Sequence, residues 1–410
     1  MPSAVQTHRF KNVIVVGAGP SGLLLALMLA KRGISVIVLE SASGLDKQPR
    51  ATHYASPAIH ELIRAGVMDD VRAAGFHPDS VVWRKLDGTV LAGLDATIFE
   101  GEPDRMTCLP LDKLGAILYR HLEKEETAKV EWGSKVVNTG QDEEKAWVDV
   151  ERAEGTKRFE ADYVVGCDGA NSQVRRCLFG KSFPGKTWDE QIVATNTYYD
   201  FQKYGYNDSN FFIHPEHWHM VARISNDGLW RVTYGEIPGL TKDELFQRLP
   251  GKFKAMFPGH PEPEEYRVVN FSPYKVHQRL AEKLRVGRFL LAADAAHLCN
   301  PFGGLGLTGG IVDIGGLYDC LVGIYDGKAD ASILDKYSEI RSKIYKEIID
   351  PVSSDNIRRL FDQDPDSAME NDEFLKMCRR TATDLEYSRQ LQLGVNGIKY
   401  DFTKEYTKEQ

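Results

Sequence analysis

Glycines that follow a buried strand, and an acidic residue at the end of the next strand, form the first pattern in this chain that could do chemistry. The apolar run Val13-Ile14-Val15-Val16 predicts a fully buried parallel strand. It leads directly into the segment Gly17-Ala18-Gly19-Pro20-Ser21-Gly22. Residues 23–30 then predict an apolar helix, and residues 34–39 predict a second buried strand that ends in Glu40. This unit is typical of sites that bind a dinucleotide.

Each glycine of the segment has a geometrical task. Gly17 permits the tight turn, Gly19 lets backbone N–H groups approach a pyrophosphate, and Gly22 lets the helix pack closely on the strand. The positive N-terminal end of the helix then faces the phosphates. Glu40 comes eighteen residues after Gly22 and can accept a hydrogen bond from a ribose hydroxyl. The same carboxylate would repel a 2′-phosphate, which disfavours NADP in this first site.

A second acidic strand end follows nearly 280 residues downstream. Residues 288–293 predict a buried strand ending at Asp294, and the run Pro301-Phe302-Gly303-Gly304-Leu305-Gly306 precedes a helix predicted from Leu307 to Tyr325. A carboxylate at this position can accept from the ribityl hydroxyls of a flavin. The helix N–H groups can face the N1–C2=O edge of the flavin, where negative charge develops on reduction. An NAD enzyme has no need of this second acid, so the pattern favours FAD.

Between these segments lies Cys167-Asp168-Gly169, inside the run 163–172. The three segments, in this order and separation, resemble the group A flavoprotein monooxygenases, which have the p-hydroxybenzoate hydroxylase fold. The resemblance covers roughly residues 12–350. It implies that Asp168 and Gly169 contact both FAD and the incoming nicotinamide cofactor, that Arg175 is the basic residue of the same motif, and that a loop containing Arg50 touches the flavin.

Two positions depart from the family pattern. Ala293 stands where the family has glycine, and its methyl group is tolerable if φ stays negative. The helix that begins near Leu111 lacks the Gln or Arg that the family offers to the flavin there. We therefore expect any flavin contact at Leu109–Asp112 to come from the backbone.

The resemblance implies a reaction and a fold. NADPH or NADH would reduce the FAD, O2 would form a flavin C4a-hydroperoxide, and one oxygen atom would be transferred to an electron-rich aromatic small molecule. The implied fold class is α/β. A discontinuous Rossmann-like FAD-binding domain (1–80, 105–178 and 285–350) would carry an inserted antiparallel-sheet substrate domain (81–104 and 180–283). A helical C-terminal region (351–410) would end in a frayed tail from Tyr400.

Three other functions stay open at this stage. The first is a flavin epoxidase or Baeyer–Villiger oxygenase, and the second is a flavin dehydrogenase or reductase on the same fold. The third is a non-catalytic binding protein that keeps the dinucleotide fold, against which the intact glycine run at 303–306 argues.

The inserted sheet is rich in aromatic side chains and histidines, which suits an aromatic substrate. We expect a substrate pocket formed by Trp218, Trp230, Tyr234 and Phe302. His219 and His214 are candidate catalytic bases, because an imidazole can take a proton from a phenol near neutral pH. Packing in an ordinary core is the alternative for each of these residues.

Bulk properties limit the partners. The net charge of −8 disfavours nucleic acid and anionic membrane surfaces. The 6 cysteines show no Cys-x-x-Cys pair, which predicts neither a disulfide framework nor a metal site. We expect reduced thiols, a cytoplasmic protein without a signal peptide or membrane span, and a monomer or homodimer whose partners are the small aromatic substrate and O2.

Overall fold

The computed structural model of the protein describes residues 10–48 and 50–407. Its strands have the following bounds: β1 Asn12–Val16, β2 Ser35–Leu39, β3 His53–Tyr54, β4 Ser80–Lys85, β5 Val90–Asp95, β6 Thr107–Cys108, β7 Ala128–Glu131, β8 Lys135–Gln141, β9 Ala146–Arg152, β10 Gly155–Ala161, β11 Tyr163–Gly166, β12 Gly185–Tyr198, β13 Ser209–Ile213, β14 His219–Arg223, β15 Leu229–Glu236, β16 Arg267–Leu280, β17 Arg285–Val286, β18 Phe289–Leu291 and β19 His297–Leu298.

The α-helices have the following bounds: α1 Pro20–Lys31, α2 Ser56–Arg64, α3 Met68–Ala74, α4 Leu111–Leu122, α5 Gln173–Phe179, α6 Lys242–Met256, α7 Leu305–Tyr325, α8 Ile333–Ile344, α9 Asp350–Phe361, α10 Ala368–Asn371, α11 Glu373–Thr381 and α12 Leu385–Leu393. A π-helical turn at Tyr345–Ile349 joins α8 to α9.

A six-stranded sheet in the order β17-β18-β11-β1-β2-β7 positions the three motifs. Strand β1 lies in its middle and pairs in parallel with β2 and β11, and β18 pairs in parallel with β11. Residues Val13–Val16 of β1 are at most 4 % exposed, as expected of a parallel strand covered on both faces. The carboxyl ends of parallel strands share one edge of the sheet, so the residues after β1, β11 and β18 come together there.

A second, eight-stranded sheet has the order β19-β16-β12-β15-β14-β13-β4-β5. It is antiparallel apart from the pair β13 and β4. Helix α6 covers one face, where Phe253 and Leu245 pack against Phe212, Trp230 and Tyr234. The other face packs through Trp218 and Ile213 against Phe302, which belongs to the glycine-rich run of the third motif. The predicted fold class is therefore confirmed, with a helical C-terminal region.

The end of the chain is packed rather than frayed as far as the structure describes it. Phe402 is fully buried and lies against Gly316 of α7, where any Cβ would collide with its ring at 2.7 Å. The Tyr406 hydroxyl donates to the carbonyl of Asp319 at 2.8 Å. The predicted frayed tail is thus wrong for residues 400–407, because glycines of α7 leave grooves into which the two rings fit.

Helix α7 is long and apolar enough to cross a bilayer by composition alone. In its most apolar stretch, 78 % of the residues are buried inside the protein. This degree of burial is typical of a central core helix, since a membrane span would present its apolar side chains to lipid.

Candidate active site

A cavity of about 290 Å³ lies where the three motifs meet at the edge of the parallel sheet. The following residues line it: Ala18, Gly19, Pro20, Ser21, Leu45, Asp46, Gln48, Arg50, Ala51, Leu111, Asp112, Gly115, Cys167, Gly169, Ala293, Asp294, Gly306, Leu307 and Gly310. Eight of the residues that the sequence nominates for cofactor binding are among them: Ala18, Gly19, Pro20, Ser21, Arg50, Asp294, Gly306 and Leu307.

The glycines of the first motif divide into two kinds. A Cβ on Gly17, which has φ +103°, would lie 2.5 Å from the carbonyl oxygen of Cys167, and one on Gly22 would lie 2.0 Å from the carbonyl oxygen of Gly17. Gly19 has open space beside it and faces the cavity. Helix α1 begins here without a side-chain cap, so its first N–H groups are free to bind an anion. The motif is therefore shaped to hold a pyrophosphate.

Glu40 lies at the end of β2 beside this turn. Its Oε2 accepts from the N–H of Ala18 at 2.8 Å, and its Oε1 accepts from the N–H of Ala42 at 2.8 Å. The two bonds fix the carboxylate at the carboxyl edge of the sheet, next to the glycine turn.

The second motif contributes the backbone of Cys167 and Gly169 to the cavity wall. The Asp168 carboxylate turns toward α5, where it accepts from Ser172 Oγ at 2.5 Å and from the N–H of Gln173 at 2.6 Å. Burial raises the pKa of Asp168, while these hydrogen bonds oppose the rise. In this structure Asp168 stabilises the start of α5 and shapes the turn that borders the cavity.

Arg175 connects the second motif to the third. It is only 4 % exposed, and its guanidinium donates to the carbonyl of Ala295 at 2.9 Å and to that of Ala170 at 2.7 Å. The guanidinium carbon also lies 3.6 Å from the ring centroid of Phe183. Its contacts are all internal, so its role in this structure is to hold the two motifs together.

Ala293 adopts the left-handed backbone conformation, with φ +54°. The condition of a negative φ is therefore not met, and the alanine carries strain that the usual glycine would avoid. Two contacts hold it there. Its N–H donates to Asp313 Oδ2 at 3.0 Å, and its methyl group fits against Gly310, where a Cβ would approach it to 2.8 Å.

Asp313 is the centre of a buried ionic group. It accepts from His297 Nε2 at 2.7 Å and from Arg341 Nε at 2.6 Å, and the three side chains are at most 2 % exposed. The charges of His297 and Arg341 outweigh burial and lower the pKa of Asp313 to about 2. This group positions the strand end from which Asp294 enters the cavity.

Asp294 lines the cavity, and among the described residues none donates a hydrogen bond to its carboxylate. Enclosure by the protein raises the pKa of Asp294, and the nearby charges of His297 and Arg50 oppose that rise. A carboxylate held in this way is an acceptor available to the hydroxyls of a ligand.

The glycine-rich run brings a second uncapped helix end to the cavity. Gly304, with φ +67°, is the N-cap residue of α7 and supplies no side-chain cap, and Gly303 has φ +101°. Gly306 and Leu307 in the first turn of α7 line the cavity, while Pro301 and Leu305 lie just beside this lining. The positive end of the α7 dipole therefore faces the same space as that of α1.

The start of α4 provides a side chain that the sequence did not lead us to expect. Asp112 lines the cavity, and its Oδ1 is buried without a hydrogen-bond partner in the described structure. Asp112 thus offers the cavity a side-chain acceptor in addition to the backbone contacts that we expected for this segment. The N–H of Leu111 donates to the carbonyl of Ala51 at 3.1 Å, which ties α4 to the loop of Arg50.

The candidate substrate residues do not share one side of the large sheet. Trp230, Tyr234 and His219 face α6, where His219 stacks on Phe212 at 4.1 Å. Burial lowers the pKa of His219 to about 3, so it stays neutral at neutral pH. This placement, away from the cavity, argues against a catalytic role for His219 and against a substrate contact for Trp230 and Tyr234.

His214 occupies a turn, and its Nδ1 accepts from the N–H groups of Glu216 and His217 at 3.1 and 2.9 Å. Trp218 and Phe302 lie on the side of the sheet that faces the parallel sheet, with ring centroids 5.6 Å apart. Both are buried, Phe302 completely. They form the packed floor beside the glycine-rich run.

Polar residues that the sequence did not single out occupy the side of the large sheet opposite to α6: Asn196, Ser209, Arg231 and Tyr274. His53 contacts one of them, with its Nε2 3.4 Å from Ser209 Oγ. Strict alternation along β12 and β15 could have separated these residues from the aromatic ones, since alternate residues of a strand face opposite sides.

The residues present fit FAD. The open side of Gly19 and the bare end of α1 suit its pyrophosphate, and the open acceptors Asp294 and Asp112 suit its hydroxyls. The end of α7 suits the electron-accepting edge of its ring.

Comparisons with known proteins agree with this geometry. The profile of the FAD binding domain family matches residues 11–352. The para-nitrophenol 4-monooxygenase of Pseudomonas sp. strain WBC-3 is 37 % identical over 389 residues, which span 94 % of this chain and 96 % of that protein.

A second relative, the 6-hydroxy-3-succinoylpyridine 3-monooxygenase of Pseudomonas putida, is 38 % identical over 358 residues, 87 % of this chain and 90 % of that protein. The crystal structure of p-nitrophenol 4-monooxygenase from Pseudomonas putida DLL-E4 superposes with a TM-score of 0.89 at 36 % identity, covering 95 % of this chain and 98 % of that one.

Proposed function

Because this chain belongs to the FAD binding domain family and is a group A FAD-dependent aromatic monooxygenase, we propose that it hydroxylates a small phenol. The reaction consumes NAD(P)H and O2. Both relatives named above are, by their names, monooxygenases, and one acts on a nitrophenol and the other on a hydroxylated pyridine. A hydroxyl group on an electron-poor ring is common to the two, which supports a phenolic substrate for this chain.

The observation that carries the proposal is the convergence of three distant motifs on one cavity. That cavity holds two uncapped helix ends, from α1 and α7, and the open carboxylate of Asp294. FAD, when bound, supplies the redox and oxygen chemistry of the reaction. Gly19 and the first turn of α1 would bind its phosphates, and the start of α7 would face its ring.

We propose that the residues that the sequence nominated form the cofactor site together with Asp112, and that Asp168 and Arg175 act in it by holding the turn that borders the cavity. Those residues are Gly17, Ala18, Gly19, Pro20, Ser21, Gly22, Glu40, Arg50, Asp168, Arg175, Asp294, Pro301, Gly304, Leu305, Gly306 and Leu307. The nicotinamide cofactor visits the surface near Asp168 and Arg175. Asp168→Ala should therefore slow flavin reduction by NAD(P)H more than it weakens FAD binding, and stopped-flow reduction at the rate of the unmodified protein would contradict this role.

The domain division of the sequence analysis is part of the proposal. We propose that, within the residues that the structure describes, the ranges 1–80, 105–178 and 285–350 form the FAD-binding domain, 81–104 and 180–283 the substrate domain, and 351–410 the helical C-terminal region. All six cysteines are free thiols, which supports a cytoplasmic location.

The test is to purify the protein, identify the bound flavin, and follow NADH or NADPH oxidation with a panel of phenols. We expect a yellow protein that holds FAD, and oxidation that a true substrate accelerates and couples to a hydroxylated product. FMN as the extracted cofactor, or NAD(P)H oxidation that no phenol changes in rate or in peroxide yield, would refute the proposal.

A further inference from the structure

The loop that leads into α7 has little internal structure to hold it in place. This α7 loop, residues 299–304, connects β19 to α7. Its last two residues are glycines with positive φ, Gly303 at +101° and Gly304 at +67°, which gives the backbone wide conformational freedom. Its internal backbone bond, from the N–H of Gly304 to the carbonyl of Pro301, is long at 3.4 Å. The position of the loop therefore depends on contacts from other elements.

Asn300 fixes the start of the α7 loop through all of its polar groups. Its N–H donates to Gln278 Oε1 at 2.6 Å, and its Nδ2 donates to the carbonyl of Ser353 at 2.7 Å. Its Oδ1 accepts from the N–H of Phe302 at 3.0 Å, inside the loop. Asn300, Gln278 and Ser353 are at most 3 % exposed, so these bonds are shielded from water.

Gln278 connects this network to two other parts of the molecule. It lies in β16 of the large sheet, and its Nε2 donates to Asp350 Oδ1 at 2.7 Å and to Ser353 Oγ at 3.0 Å. Asp350 and Ser353 both belong to α9. The start of the α7 loop is therefore held between the large sheet and α9.

Asn356 holds the far side of the same loop. Its Nδ2 donates to the carbonyl of Phe302 at 3.3 Å. A Cβ on Gly303 would lie 2.4 Å from the same nitrogen, so the amide fits against a bare glycine. The Oδ1 of Asn356 accepts from Arg359 Nη1 at 2.9 Å, and Arg359 Nε is paired with Asp372 Oδ2 at 2.7 Å. These bonds fix the plane of the Asn356 amide.

The two sets of contacts come from one helix outside the family domain. Ser353 and Asn356 are three residues apart in α9 and are therefore neighbours on its surface. The profile of the FAD binding domain family ends at residue 352, so both lie beyond it. The first turn of α7, which follows the loop, lines the cavity through Gly306 and Leu307. Helix α9 is thus one loop away from the site of the flavin ring.

We propose that Asn300 and Asn356 are positioning residues, through which α9 holds the α7 loop so that the N-terminal end of α7 points at the flavin ring. This inference rests on FAD occupying the cavity, as in the proposed function. Reduction adds negative charge to the ring, and the positive end of a helix stabilises such a charge only over its first turn. A loop that is free to shift would therefore weaken the binding of reduced FAD more than that of oxidised FAD.

The experiment measures the two-electron midpoint potential of the FAD-loaded protein and the dissociation constant of oxidised FAD. In Asn356→Ala we expect reduced FAD to lose about tenfold more affinity than oxidised FAD, which lowers the midpoint potential by about 30 mV. Asn300→Ala should lower it at least as much, because Asn300 bonds both to the loop and to α9. Asn356 is only half-buried, so its variant should fold even if Asn300→Ala does not.

The matched control is Asn210→Ala, which removes another buried amide on the α6 side of the large sheet. Asn210 is fully buried in β13, where its Oδ1 accepts from Arg84 Nε at 3.0 Å and its Nδ2 donates to the carbonyl of Val221 at 3.2 Å. Val221 packs in the core that α6 covers. Asn210→Ala should lower the urea midpoint of unfolding at least as much as Asn356→Ala does, but it should leave the midpoint potential unchanged.

Two results would overturn the inference and leave the proposed function standing. One is an equal loss of affinity for oxidised and reduced FAD in the Asn300 and Asn356 variants. The other is a shift in potential in Asn210→Ala as large as that in Asn356→Ala. Either would show that the two amides only stabilise the fold. Hydroxylation of a phenol by the unmodified protein tests the proposed function separately, and an unmodified protein that binds no FAD would refute both.

Discussion

Asp313 and Asp294 are both held near Ala293, but the protein treats the two carboxylates in opposite ways. Both oxygens of Asp313 accept hydrogen bonds from buried protein donors, and the charges around it lower its pKa. Asp294 accepts none from the described residues, opens into the cavity, and has its pKa raised by enclosure. Asp112 resembles Asp294, with one buried oxygen left unpartnered. The satisfied carboxylate belongs to the fold, and the unsatisfied ones are available to a ligand.

If this contrast holds, removing the closed carboxylate should damage the fold most. Asp313→Ala leaves Arg341 buried without its partner and should lower the free energy of unfolding by about 3–5 kcal/mol. Urea unfolding of the FAD-free protein measures this. The control Asp326→Ala, in the partly exposed pair with Arg32, should cost less than about 1 kcal/mol. Equal losses would show that the buried group has no special weight.

The open carboxylate should give the reverse result. Asp294→Ala should weaken FAD binding by one to two orders of magnitude, about 1.5–3 kcal/mol for charged hydrogen bonds. The stability of the FAD-free protein should stay about the same, because Asp294 is exposed in the cavity and accepts no hydrogen bond from the described residues. Fluorescence titration of the FAD-free protein gives the affinity. An unchanged affinity would remove Asp294 from the site.

The contribution of Asp313 to stability should depend on pH. The Asp313 carboxyl has its pKa lowered from 3.8 to about 2 in the folded state, so it contributes stability above pH 4 that is lost as the pH falls through 2. The shift corresponds to about 2 kcal/mol. We expect the difference in unfolding free energy between the unmodified protein and Asp313→Asn to shrink by this amount between pH 4 and pH 2. A constant difference would contradict the assignment.

Removal of the Asp112 carboxylate should also weaken FAD binding, but less than removal of the Asp294 carboxylate. We expect Asp112→Ala to lower the FAD affinity about 3- to 10-fold, as for one hydrogen bond of about 0.5–1.5 kcal/mol. If Asp112 contacts the ribityl chain, FMN affinity should fall by the same factor. Asp69→Ala removes a fully exposed acid at α3 and should change neither affinity. A loss for FAD alone would place Asp112 at the adenosine half.

The smallest expected effect on the free energy of unfolding concerns Ala293, which precedes Asp294 and donates its N–H to Asp313. Ala293→Gly removes the strain of φ +54° but also removes a buried methyl group and adds flexibility to the unfolded chain. These contributions oppose each other, so stability should change by less than about 1 kcal/mol. Ala295→Gly, at a buried site without positive φ, should cost more. Equal costs would mean that the conformation of Ala293 carries no strain.

The aromatic side chains of the large sheet show where sequence reasoning was incomplete. Judged from composition alone, Trp230, Tyr234 and His219 suggest a pocket for an aromatic ring. The register of β14 and β15 places all three against α6, and places Arg231 on the opposite side. Neighbouring residues of a strand point to opposite faces of the sheet. Which of the two faces is covered by α6 depends on how the helix and the sheet pack, and this cannot be read from the strand alone.

The sequence alone determined the dinucleotide unit, the three motifs and their convergence, because glycine geometry, buried strands and strand-end acids are local features whose meeting point follows from the rules of parallel sheets. Only the tertiary structure decided the conformation of Ala293, which depends on Asp313 twenty residues away and on the space beside Gly310. It likewise decided the entry of Asp112 into the cavity and the placement of Arg231 on the side of the large sheet opposite to α6. Each of these depends on contacts between elements distant in the chain, and such contacts leave no periodic signal in the sequence.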